Sequence, residues 1–112
     1  MLAGMNRLRE FKEKHGKDFA SKFISLKESD KAQYDTLNED RRRFSHYFHT
    51  IDVMLDTGVM DEKFLQKLVR PGDKDQVDFL LEVIGPLEKE INSRYNTNMF
   101  VRLQEIYHKS LQ

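Results

Sequence analysis

Cysteine is absent from the 112 residues. That removes disulfides, thiolate nucleophiles and cysteine-held zinc or iron–sulfur centres together, and it agrees with a reducing compartment such as the cytoplasm. Tryptophan is absent too, and only two prolines and five glycines punctuate the chain. Long stretches run without a breaker, and there is no repeat, low-complexity tract or flexible linker. Charge of one sign is also missing, because 19 basic and 19 acidic residues balance. A protein held mainly to phosphates normally carries a basic excess, so nucleic acid is disfavoured as the principal partner. No apolar run approaches the roughly 20 residues of a membrane span, and residues 1–7 lack the apolar centre of a signal peptide. The expectation is a cytoplasmic protein, or the cytoplasmic part of a tethered one if an anchor precedes Met1. Finally, there is no Gly-rich phosphate loop, no serine elbow, no nucleotide fingerprint and no paired-acid motif, so neither an enzyme nor a cofactor is expected.

What the chain does contain is apolar side chains at helical spacing. Leu, Ile, Val and Phe make up 31 of the 112 residues, above the roughly 20% level below which chains tend to stay unfolded. Charged residues reach 34%, more than the usual ~25%, which suits helices with one greasy stripe and a charged back. The length fits one domain over residues 1–112.

Residues 2–28 predict one helix bent near His15 and Gly16, or two shorter ones, with the segment bent or partly detached. The next helix is the clearest. Thr36, Leu37, Asn38 and Glu39 read as a capping box, and Leu37, Phe44, Phe48, Ile51 and Leu55 follow at steps of seven, four, three and four. Tyr47 and Met54 widen that stripe on one side, and Gly58 supplies a helix stop. A short helix is predicted after an Asp61 cap, with Met60 stapled onto Leu65 and with Phe64, Leu65, Leu68 and Val69 as its buried side. Arg70, Pro71 and Gly72 end it. Asp73 then reads as the cap of a helix whose Val77, Leu80, Leu81, Ile84, Leu87, Ile91 and Tyr95 keep one face, with a kink at Gly85–Pro86. A last helix capped by Asn98 carries Phe100, Leu103, Ile106, Tyr107 and Leu111. Nothing alternates at period two. The fold expected is all-α: a compact bundle of four to five helices, the second and fourth central.

Four groups of residues are candidates for function. His46, His49, Asp52 and Asp56 lie beside the core stripe of the second helix, and an imidazole with two carboxylates could hold a divalent metal. A solvated polar face is the favoured reading, because no other segment supplies an obvious further ligand. Arg41, Arg42 and Arg43 resemble a nucleic-acid patch, but neighbours on a helix point about 100° apart and fan out. Arg7, Arg9, Lys12, Lys14 and Lys17 could rest on an anionic membrane, although interleaved acids dilute the pull and packing is favoured. Phe79 and Val83 form a second apolar strip off the main stripe of the fourth helix. Such a strip means either a helix sandwiched between neighbours or an exposed contact patch for a protein partner or a second copy.

Residues 39–65, EDRRRFSHYFHTIDVMLDTGVMDEKFL, and residues 84–91, IGPLEKEI, together resemble a family of short bacterial proteins described as a domain of unknown function. The shared pattern is an Arg-containing helix with aromatic residues, a Gly-hydrophobic-hydrophobic-Asp turn, a short helix and a helix with proline. Arg43, Tyr47, Phe48, Gly58, Val59, Met60, Asp61 and Pro86 occupy it here, over about residues 30 to 108. The resemblance implies a helical fold. Family members commonly resemble membrane-tethered proteins with a single span ahead of the helices, which this chain lacks. It brings no active-site residues. The function expected is a non-enzymatic helical interaction or regulatory module. The alternatives are a metal-binding domain on His46, His49, Asp52 and Asp56, and a nucleic-acid binder on Arg41, Arg42 and Arg43.

Overall fold

The computed structural model describes residues 2–110, and Leu111 lies outside them. The elements in order are α1 (Leu2–His15), a 3-10 turn (Gly16–Asp18), α2 (Phe19–Ser29), α3 (Lys31–Asp56), α4 (Glu62–Leu68), α5 (Asp73–Phe79), a π-helical segment (Leu80–Ile84), α6 (Gly85–Ile91) and α7 (Asn98–His108). No strand occurs among the described residues. The 26 residues of α3 run about 39 Å at 1.5 Å per residue, in a molecule measuring 45 × 27 × 21 Å.

The first segment is two helices. Gly16 takes a left-handed φ of +65°, which glycine adopts without a Cβ penalty, and the chain turns there. Both halves lie on α3, with Met5, Leu8, Phe11, Phe19 and Phe23 buried.

α3 begins a turn and a half earlier than the capping box predicts. Asp30 is the cap, its Oδ1 accepting from the Gln33 amide at 3.1 Å. Thr36 is mid-helix and donates its hydroxyl to the Ala32 carbonyl at 3.1 Å. The longer helix carries Tyr34 against Phe23 of α2, ring centroids 5.0 Å apart, so tertiary packing extends it past the local signal. Its stripe of Leu37, Phe44, Phe48, Ile51 and Leu55 is buried, and Gly58 ends the segment at φ +79°.

Asp61 caps α4 as expected, accepting from the Phe64 amide at 2.7 Å. Only Leu65 and Val69 of its predicted buried side are inside, whereas Phe64 and Leu68 are each 52% exposed. The pairs 64/68 and 65/69 point about 100° apart, and a seven-residue helix packed on α7 turns only one of them inward. Asp73 does not cap α5. Its Oδ2 reaches back to the Arg70 amide at 2.9 Å, across Pro71 and Gly72. Asn98 does not cap α7 either; Asn96 Oδ1 accepts the Asn98 amide at 2.9 Å.

The kink expected at Gly85–Pro86 takes the form of the π-helical segment just before it. Pro86 has no amide to return to the Glu82 carbonyl one turn back. The backbone widens instead, with the Gly85 amide bonding the Leu80 carbonyl. Lys12 Nζ of α1 lies 3.2 Å from the freed Glu82 oxygen. The extra residue in the turn re-phases the helix by about 100°. Phe79, Leu80, Val83, Ile84 and Leu87 are all buried, while Ile91 at the far end is 42% exposed. The centre of the core is aromatic: Phe44 meets Phe79 at 4.9 Å and Phe48 at 5.4 Å, and Phe48 meets Tyr107 at 6.1 Å.

Candidate functional site

The residues singled out in the sequence do not assemble into one site. Phe79 and Val83 are 1% and 2% exposed. This corrects the expectation that they offer a contact patch. Phe44 packs on one side of the Phe79 ring, and the Arg9 guanidinium of α1 lies 5.3 Å from its centroid. The helix is sandwiched within its own chain.

His46, His49, Asp52 and Asp56 do not converge either. Arg102 of α7 takes the two carboxylates, with Nη1 2.6 Å from Asp56 Oδ1 and 3.6 Å from Asp52 Oδ1, and with Nε 4.0 Å from Glu62 of α4. The hydrogen bond to Asp56 leads the causes that raise the Arg102 guanidinium pKa. The pair is thus a structural clamp joining α3, α4 and α7. Among the described residues no group of three His, Asp or Glu side chains is placed to hold a metal ion.

The three arginines fan out as helix geometry requires. Arg41 turns inward, donating to Asn38 Oδ1 through Nε at 3.0 Å and Nη2 at 2.8 Å and to Glu88 of α6 through Nη1. Arg43 pairs with Glu39, one turn back, at 3.1 Å. Arg42 is exposed. Three of the five N-terminal cations are likewise used internally: Arg7 on Asp40, Arg9 on Phe79, and Lys12 on Glu82 and over the Phe19 ring.

One concave feature was not among the candidates drawn from the sequence. A groove of about 650 Å³ opens between the second half of α3, the turn and helix of α4, and Tyr107 of α7. Its floor is Ile51, Met54, Met60, Leu65, Val69 and Tyr107, and its rim carries Arg43, His46, Arg70 and Asp73. The volume lies within the range of ligand-binding clefts. Burial raises the Tyr107 phenol well above the ordinary tyrosine range, ahead of smaller effects from Tyr47 and Asp73. Along the edges, Tyr47 is 49% and Leu68 52% exposed, and Phe64 continues the apolar strip one turn along α4. The groove offers apolar contact and a cationic rim, and it pairs no nucleophile with a base. Its sequence signal was the widening of the α3 stripe by Tyr47 and Met54.

No family model matches the chain, and no curated protein or solved structure matches it. Among the described residues no helix is long and apolar enough to cross a membrane.

Proposed function

We propose that the chain is a non-enzymatic interaction module whose groove receives one amphipathic helix of a partner protein, apolar side down and carboxylates along its flank. The observation that carries this reading is the unfilled apolar floor beneath a cationic rim. Met54 and Met60 contribute unbranched, adaptable side chains to that floor, the kind of surface on which helix-in-groove recognition relies. On the rim, Arg43 is paired with Glu39 one turn back, and His46 and Arg70 stand with one lining acid, Asp73, which accepts from the Arg70 amide. Three donors that can carry positive charge against one lining carboxylate favour an acidic flank over a basic one. In this reading α3 and the continuous α5–α6 helix are the central pair, and α4 is one wall of the groove. The lack of cysteine supports a reducing, cytoplasmic setting as part of this reading.

The test uses a fluorescein-labelled synthetic helix of about five turns, with leucine at helical spacing and glutamate on both flanks. Its partner probe replaces every glutamate by lysine. Fluorescence polarisation is expected to show saturable binding of the acidic probe, and about tenfold weaker binding of the basic one. Met54→Glu and Leu68→Glu, at partly and half-exposed positions, are expected to abolish binding while circular dichroism stays helical. Equal binding of both probes, or none by either, would overturn the proposal.

A further inference from the structure

A second cleft lies beside the groove, along the next face of α3. It measures about 630 Å³ and is bounded by α3, by Glu88 of α6 and by Tyr95 in the turn before α7. Arg42, His46 and His49 line it. Steps of four and three place these side chains in one row along the helix, spanning about 10 Å. All three are exposed. Among the described residues none of them takes part in an ion pair or a side-chain hydrogen bond.

The acids that border the cleft are already satisfied. Glu88 is held by Arg41 and Glu39 by Arg43. On the far side of His49, Asp52 faces Arg102 at 3.6 Å. What remains unmatched is a guanidinium and two imidazoles, all hydrogen-bond donors when protonated. Two hydroxyl groups, Ser45 and Tyr95, lie in the same cleft. A planar guanidinium fork beside rotatable hydroxyls and ring N–H groups matches the several acceptor oxygens of a phosphate better than the two oxygens of a carboxylate. A row about 10 Å long fits a compact, multiply charged ligand. A polynucleotide would need a longer cationic track and exposed rings for stacking, and Phe44 and Phe48 of α3 are buried.

We infer that the cleft formed by Arg42, His46 and His49 with Ser45 and Tyr95 binds a phosphate monoester or diphosphate group. The group can come from a small phosphorylated molecule or from a phosphorylated side chain of a protein. The cleft adjoins the apolar groove and shares Arg43 and His46 with its rim, whereas Arg42, Ser45, His49 and Tyr95 line the cleft alone.

The experiment is a titration of the full chain followed by the ring-proton resonances of its four histidines. One arm uses inorganic pyrophosphate and the other a short peptide carrying phosphoserine. His46 and His49 are expected to shift on addition of ligand, while His15 and His108, which lie outside the cleft, stay in place. Arg42→Ala, at an exposed position, is expected to weaken binding about tenfold, whereas Lys63→Ala on α4 leaves it unchanged. Saturation by pyrophosphate identifies a small-molecule source, and saturation by the phosphopeptide alone identifies a protein source; either supports the site. The inference is overturned if neither ligand moves His46 and His49, if all four histidines move together, or if Arg42→Ala and Lys63→Ala weaken binding equally.

Discussion

Arg7 holds Asp40 with two hydrogen bonds, Nη2 to Oδ1 at 2.7 Å and Nε to Oδ2 at 2.8 Å. The pair fastens α1 to α3, and the carboxylate is buried beside Gly4 of α1. A Cβ on Gly4 would lie 2.8 Å from Asp40 Oδ1 and 3.0 Å from its Cγ. The carboxylate has little room to retreat, because both oxygens are held. Gly4→Ala is therefore expected to displace Asp40 from the fork and lower the urea midpoint. Arg7→Ala strands the buried carboxylate, and adding Asp40→Asn to that variant removes the stranded charge. The double variant is expected to be more stable than Arg7→Ala alone. A double variant as unstable as the sum of its parts would contradict this account.

Arg41 and Glu88 form a pair in which both members are largely buried, with side chains 12% and 9% exposed. Removing one member leaves an uncompensated charge next to the core. Glu88→Ala is expected to cost about 3–5 kcal/mol in chemical denaturation. Replacing both together by apolar residues, Arg41→Met with Glu88→Leu, is expected to recover most of that loss, because a well-packed apolar pair is often neutral relative to a buried ion pair.

Phe79 separates a core role from a surface role. At 1% exposure between Phe44 and Arg9, its truncation leaves a cavity. Phe79→Ala is expected to cost about 3–5 kcal/mol, read from the shift of the urea transition. The sedimentation coefficient of the folded fraction is expected to stay unchanged. A variant with wild-type stability and an altered oligomeric state would show that this face belongs to a partner.

Acid stability is expected to depend on Asp78. One oxygen of its carboxylate accepts from Gln104 Nε2 at 2.8 Å and meets His108 Nε2 at 2.7 Å. The Gln104 bond first, and then the His108 bond, hold this carboxyl below its ordinary range. A depressed folded-state pKa adds stability above the unfolded value of about 3.9, and that stability is lost as pH falls through the depressed value. Asp78→Asn is expected to be less stable than wild type at neutral pH. The gap should close on acidification below the ordinary carboxylate range, as followed by helical circular dichroism against pH. A gap that persists at the acid end would point to shape, not charge.

Much of the fold could be read locally. The stripes of α3 and α7, the Asp61 cap and the stop at Gly58 depend on contacts within a few residues, and the 3.6-residue period records them directly. The places where local reading missed are those where a distant partner decided. Asp30 displaced Thr36 as the start of α3 because the extra turn packs Tyr34 on Phe23. Leu65 and Val69 were chosen over Phe64 and Leu68 by where α7 lies, which no periodicity within α4 records.

The sites follow the same division. Helix geometry alone put His49, Asp52 and Asp56 on one side of α3, but only the approach of Arg102 from 46 residues beyond Asp56 turned the acids into a clamp. Pro86 announced a disturbance in its helix, and Lys12, 70 residues before Glu82, supplied the donor for the released carbonyl. The sequence by itself determined that this chain is helical, free of cysteine chemistry and balanced in charge, because those properties reside in single residues and short spacings. The tertiary structure decided which second apolar strip is buried, which cations are spent internally and where a groove remains open, because each depends on side chains brought together from distant parts of the chain.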